Sequence, residues 1–167
     1  LQHLHERAAR LGSRRAQPAV TLARALDQLH RRQEAIVVLR EAIGAPESAG
    51  ARLSLFDLLL EDGQRDAAAT LLAETAVQLR PLALERARER LALANGDPAA
   101  ARRALEAAVA IAPHDGEVRQ QLLRTIAAHD GREAALAAAE VCIAEASDDP
   151  ALLVQVQESL LEIHELP

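Results

Sequence analysis

Apolar residues along this chain recur at intervals of three and four, in short runs that polar segments interrupt. Leu22, Ala23 and Leu26 form one stripe; Ala35, Leu39 and Ala42 form the next, with a polar break at 30–33 between them. Such spacing puts each set on one face of a helix, so residues 17–47 read as two short amphipathic helices joined by a tight turn, an αα-hairpin. The pattern then returns. Leu55, Phe56 and Leu59, a turn at Gly63, Ala68 and Leu72, and a closing Pro81 make a second hairpin. In the third, Leu84, Ala87, Leu91 and Ala94 mark a first helix one residue out of register with its counterparts, and Ala101, Leu105 and Ala108 mark a second, ended by Pro113. Asn95–Gly96 suits a left-handed turn between them, and Pro98 suits the first turn of the helix that follows. A fourth runs from Leu122, Leu123 and Ile126 through Gly131 to Ala135, Ala139 and Cys142. Asp149–Pro150 starts a last helix carrying Leu153, Val156, Leu160 and Ile163, while Leu1, Leu4, Ala8 and Leu11 look like the second half of an earlier hairpin.

Four alanines set the period: Ala35, Ala68, Ala101 and Ala135 lie 33, 33 and 34 residues apart. A fixed period in this range is the mark of stacked repeats, in which no helix pair can bury its own apolar face and each must lean on its neighbours. The predicted organisation is one array over 1–167 of about ten helices: a half repeat at 1–14, repeats at about 15–48, 49–81, 82–114 and 115–149, and a closing helix at 150–165. The clearest repeat reads Ala19-x2-Leu22-Ala23-x2-Leu26, then Ala35-x3-Leu39-x2-Ala42, then Pro46. At these positions the chain resembles the tetratricopeptide repeat (TPR) family, with Leu or Ala where that family carries large aromatics. The resemblance implies an all-α, right-handed superhelical solenoid of antiparallel hairpins, whose first helices line a concave groove that binds a peptide or partner protein.

Composition narrows the picture. Half of the residues are apolar, yet Phe56 is the only aromatic and Met is absent, so Leu and Ala must form the core. Alanine favours helix and lets neighbouring helices approach closely. All 19 basic residues are Arg, a bias that points to a GC-rich bacterial genome. A net charge of −6 argues against a nucleic-acid partner, which calls for a basic face. The single Cys142 excludes an internal disulfide and reads as a small packing residue in an Ala-rich helix. No run approaches the roughly 20 apolar residues of a membrane span, so direct membrane insertion is not expected. The sequence opens mid-helix and without Met, as a segment of a longer bacterial protein would, in the cytoplasm or the periplasm. Apolar stripes on both flanking helices predict that the array continues or self-associates.

Candidate chemistry is sparse. His3 and His5 point to different sides of a helix, His30, His114 and His129 fall in or near turns, and His164 is close to the end. None has a ligand partner at a spacing such as H-E-x-x-H, so no metal is expected. Asp148/Asp149 and Glu61/Asp62 read as turn or capping residues, and Glu158/Glu162 as a solvated helix face. Neither a phosphate-cradling glycine loop nor a nucleophile elbow is present. The chain is therefore expected to be neither an enzyme nor a cofactor binder. The groove implied by the TPR resemblance would carry Val20, Arg24, Gln28, Leu53, Asp57, Leu60, Glu85, Glu89, Gln120, Arg124, Val154 and Glu158. Arg24 and Arg124 are its expected anchors, since a guanidinium pairs a carboxylate bidentately. With no Lys, and with its only Asn at 95, the chain departs from family members that clamp acidic tails. Two other readings fit the same pattern: a structural spacer in an envelope, secretion or polysaccharide-export protein, and an accessory region of a larger enzyme.

Overall fold

The computed structural model of the chain describes residues 16–44, 48–145 and 150–165, and every regular element among them is helical. They belong to two compact units, Leu1–Leu79 and Arg80–Pro167. The half repeat expected at 1–14 lies outside the described residues, as do Pro46, Asp148 and Asp149.

In the first unit α1 (Ala16–Gln28), α2 (Arg32–Ala42), α3 (Ala49–Glu61) and α4 (Arg65–Thr75) follow one another, and a short 3-10 turn, Ala76–Gln78, ends the series. Each helix packs on the next, and α1 also touches α3, so first helices lie side by side. Ala23 and Leu26 of α1, Ala35, Ile36 and Leu39 of α2, Leu55, Phe56 and Leu59 of α3, and Ala68 and Leu72 of α4 are buried. Polar ties fix the next hairpin against the last. Arg32, at the start of α2, donates to Asp27 at 2.9 Å and to Glu61 at 2.9 Å, while Gln33 donates to Asp62 at 2.7 Å.

The second unit holds α5 (Pro81–Ala94), α6 (Pro98–Ile111), α7 (Gly116–His129), α8 (Arg132–Glu145) and α9 (Pro150–Glu165). Its helices again pack in sequence, and α9 covers both α7 and α8. Leu105 and Ala108 of α6 meet Val118 of α7 in one core cluster. Leu123 and Ile126 of α7, Ala135, Ala139 and Cys142 of α8, and Val156 of α9 form another. Two acidic caps start helices here. Asp97, just before Pro98, accepts from the Ala100 amide at 2.9 Å, and Asp115 accepts from the amides of Glu117 and Val118 at 3.1 and 3.3 Å. Each side chain satisfies amides that have no partner within the helix.

Ala35, Ala68, Ala101 and Ala135 are all 0% exposed. Each lies in the first turns of a second helix, where full burial leaves a larger side chain no space without moving a neighbouring helix. The turns between helices repeat as well. The amides of Arg31, Gln64 and Asp97 donate to the carbonyls of Leu26, Leu59 and Ala92 at 2.9, 2.8 and 2.9 Å, and the preceding amides, of His30, Gly63 and Gly96, donate to Asp27, Leu60 and Leu93. This paired pattern is the Schellman helix ending, which needs a left-handed residue just after the helix. Gly63 and Gly96 supply it with φ of 76° and 70°, whereas the first hairpin places His30 there at φ 58°.

The third hairpin differs from its expected stripe. On α5 the buried residues are Ala87, Glu89 and Ala92, while Leu84, Leu91 and Ala94 are only partly covered. A slip of one residue turns a helix face by about 100°, so the apolar spacing read from Leu84 points to the flank of the helix rather than its inner face.

His30→Gly should raise stability by about 0.5–1 kcal/mol in urea unfolding, because removing the left-handed strain outweighs the backbone entropy that glycine loses. Ala101→Leu should lower stability by about 1–3 kcal/mol in the same measurement, through overpacking at a fully buried site.

Candidate functional site

In the second unit, first helices α5 and α7 bound a cleft of about 730 Å³. Glu89 and Leu93 of α5 face Glu117, Gln120, Gln121, Arg124, Thr125, Ala128 and His129 of α7, and Pro98 at the start of α6 closes one end. The residues of α7 follow helical spacing: Glu117, Gln120 or Gln121, Arg124 and Ala128 stand on one face, a turn apart. Two links hold the cleft walls. Gln121 Nε2 donates to Glu89 Oε1 at 2.9 Å, and Arg86 of α5 reaches Asp115 at 3.4 Å and Glu117 at 3.2 Å at the beginning of α7.

Glu89 is the unusual member. It is 2% exposed although it carries a carboxyl group. The repeat period explains why it is inside: Ala23, Phe56, Glu89 and Leu123 stand 33, 33 and 34 residues apart, and the other three are apolar and buried. A carboxylate thus occupies a core position of the hairpin. Burial pushes its carboxyl up from the ordinary glutamate value, against the opposing pull of Arg90, the Gln121 hydrogen bond and Arg86. Both arginines are engaged elsewhere: Arg86 with Asp115 and Glu117, and Arg90 through its Nε to the Arg86 carbonyl at 3.3 Å.

Of the positions assigned to a groove from the sequence, Glu89, Gln120 and Arg124 come together at this cleft. Glu85 does not; it is half-buried and bonded to Arg88 at 2.7 Å. Glu158 and Val154 are exposed on α9. In the first unit, Val20 is half-buried on α1 with Arg24 and Gln28 exposed beyond it, and Leu53, Asp57 and Leu60 are half-buried on α3. The period pairs Val20 and Leu53 with Arg86 and Gln120, and Arg24 and Asp57 with Arg90 and Arg124. The third-hairpin counterparts of those groove positions are therefore Arg86 and Arg90, which the out-of-register reading replaces with Glu85 and Glu89. Leu93, Gln121 and His129 also line the cleft and carry no signal of their own in the sequence.

Among the described residues no group of three or more His, Cys, Asp or Glu could hold a metal ion. Likewise, no helix among them is long and apolar enough to cross a membrane.

This architecture, consecutive αα-hairpins with a buried alanine early in each second helix and a cleft between first helices, defines a helical-repeat fold. Solved structures to which it is similar are TPR-like. A crystal structure of the nearly identical TPR-like repeats of a putative kinesin light chain from Podosopora anserina superposes with a TM-score of 0.69 at 24% identity, over 90% of this chain and 86% of that one. A Q17M form of the same repeats matches equally, with a TM-score of 0.69. A thermophilic TPR protein from Thermus thermophilus gives 0.61 at 19% identity, over 89% of this chain and 82% of that one. No protein-family model and no curated protein matches the sequence. The chain has the fold of the TPR-like repeat proteins.

Glu89→Gln keeps an acceptor for Gln121 and removes a buried charge. Because folding raises the carboxyl's proton affinity, the native parent binds protons more readily than the unfolded chain, so its stability falls as pH rises past the ordinary glutamate range. The variant should therefore melt above the parent at neutral pH. The gap should close once the pH drops below that range, and thermal unfolding followed by circular dichroism across pH checks it.

Proposed function

We propose that the chain is a protein-interaction scaffold, and that it binds an extended or helical segment of a partner protein in the cleft between α5 and α7. The observation that carries this reading is the convergence of Glu89, Gln120 and Arg124 with the apolar surface of Leu93 and Ala128 around one open space. Leu93 is 47% exposed, an apolar side chain held in water beside polar groups that can fix orientation. Such a combination suits a peptide, whose side chains need apolar seats and whose backbone or charges need polar anchors. Arg124 stands exposed on the α7 wall, where its planar guanidinium can take a carboxylate or backbone carbonyl of the partner. The TPR-like fold supports the reading, as do the groove positions of the first unit, where Arg24 and Gln28 lie exposed on α1.

Dodecapeptides selected by phage display on the full chain should lose about tenfold or more in affinity when Arg124 is changed to Glu, as expected for loss of a charged anchor at an interface. Arg24→Glu tests the first unit in the same titration. Peptides that bind the parent and both variants equally would remove these groove assignments.

A further inference from the structure

We propose that the cleft between α5 and α7 accepts a lysine or arginine side chain of the partner, with its cationic head against the Glu89 carboxylate and its stem along Leu93 and Ala128. The inference rests on the cleft being the binding site and adds the chemistry of what enters it. Three independent observations converge on it.

The first is position. Glu89 fills a repeat site that Ala23, Phe56 and Leu123 fill elsewhere, so hairpin packing alone asks for an apolar residue there. A group that departs from the local pattern without a packing gain belongs to function more often than to stability. The second is access. Glu89 lines the open volume although it is 2% exposed, so a cation in the cleft lies beside the residue and reaches its carboxylate by displacing the side chains that cover it. The third is electrostatic need. Glu89 accepts from the neutral Gln121, and it forms no ion pair among the described residues. Burial is the largest influence on its titration, and the attraction of Arg90 and Arg86 does not offset it. A buried carboxylate without a cation in contact costs free energy that a paired and hydrogen-bonded one recovers.

The remaining charges around the cleft are compatible with a basic guest. Glu117 lines the cleft from α7 but is paired with Arg86, and Arg124 and His129 line it from the same helix, so Glu89 is the lining carboxylate that has no ion pair among the described residues. A long apolar stem with a terminal cation matches a space lined by Leu93, Ala128 and Glu89, since Lys and Arg lay their stems along apolar surface and keep the charged head on a polar partner. The chain's net charge of −6 draws basic partners toward it at long range.

The test pans a dodecapeptide library against the full chain and, in parallel, against Ala128→Arg, which fills the cleft from an exposed position. Circular dichroism verifies that each variant is folded. Peptides retained by the parent and lost by Ala128→Arg bind the cleft. The expected result is that these peptides share a Lys or Arg, and that its replacement by Gln weakens binding to the parent by about tenfold or more, a charge-assisted contact. The same replacement should change binding to Glu89→Gln less than about twofold, the signature of a coupled pair. Cleft-dependent peptides without a shared basic residue would overturn the cation while leaving the cleft as a binding site. The same holds if the replacement costs as much in Glu89→Gln as in the parent. A library with no cleft-dependent binder would overturn both readings.

Discussion

The structure depends on how closely two helices of a hairpin can approach. Ala35, Ala68, Ala101 and Ala135, one per hairpin and each fully buried, leave no room for a larger side chain, and buried leucines and further buried alanines surround them in the core. Alanine loses no side-chain entropy on folding and holds the helical backbone better than any other residue. Close approach also keeps each hairpin thin, so its neighbours can cover it in turn. A core with Phe56 as its one aromatic is thereby possible: many buried Ala, Leu, Ile and Val side chains stand in for a few large rings.

Chain reversal is solved once and reused. At residues 26–31, 59–64 and 92–97 the same two amide-to-carbonyl bonds close the helix, with the left-handed residue supplied by His30, Gly63 and Gly96. Polar side chains then tie neighbouring hairpins across their ends, Arg32 to Glu61 and Gln33 to Asp62 in the first unit, Arg102 to Asp130 at 2.6 Å in the second. These surface pairs contribute little energy individually. Their use is angular, because they join the turn of one helix pair to the beginning or end of another.

The architecture is legible in the sequence because alanine and glycine recur for steric reasons that no neighbour overrides. Ala35, Ala68, Ala101 and Ala135 announce the second helices, and Gly63, Gly96 and Gly131 announce the turns. The first helix of the third hairpin is where the pattern misleads, by one residue. Leu84 and Leu91 draw the stripe toward themselves, since a stripe search rewards hydrophobicity, whereas the period drawn through Leu26 and Leu59 leads to Ala92 and through Ala23 and Phe56 to Glu89. Glu89, read from the sequence as a groove surface residue, lines the cleft but is almost wholly buried. Which groove residues meet in one cleft depends on how α5 and α7 sit, and single-helix spacing carries no such information. His30 in a glycine position is visible when the turns are aligned, but its left-handed backbone follows only from the closing hydrogen bonds.

A repeat array confines the effect of any defect to the hairpins that touch it. The cost of burying the Glu89 carboxyl group is therefore borne at the α5–α7 junction, where Gln121 is its hydrogen-bond donor, and not by distant hairpins. If a guest cation pairs this carboxylate as proposed, its binding and the stability of the junction are linked, because a ligand that binds only the folded state stabilises it.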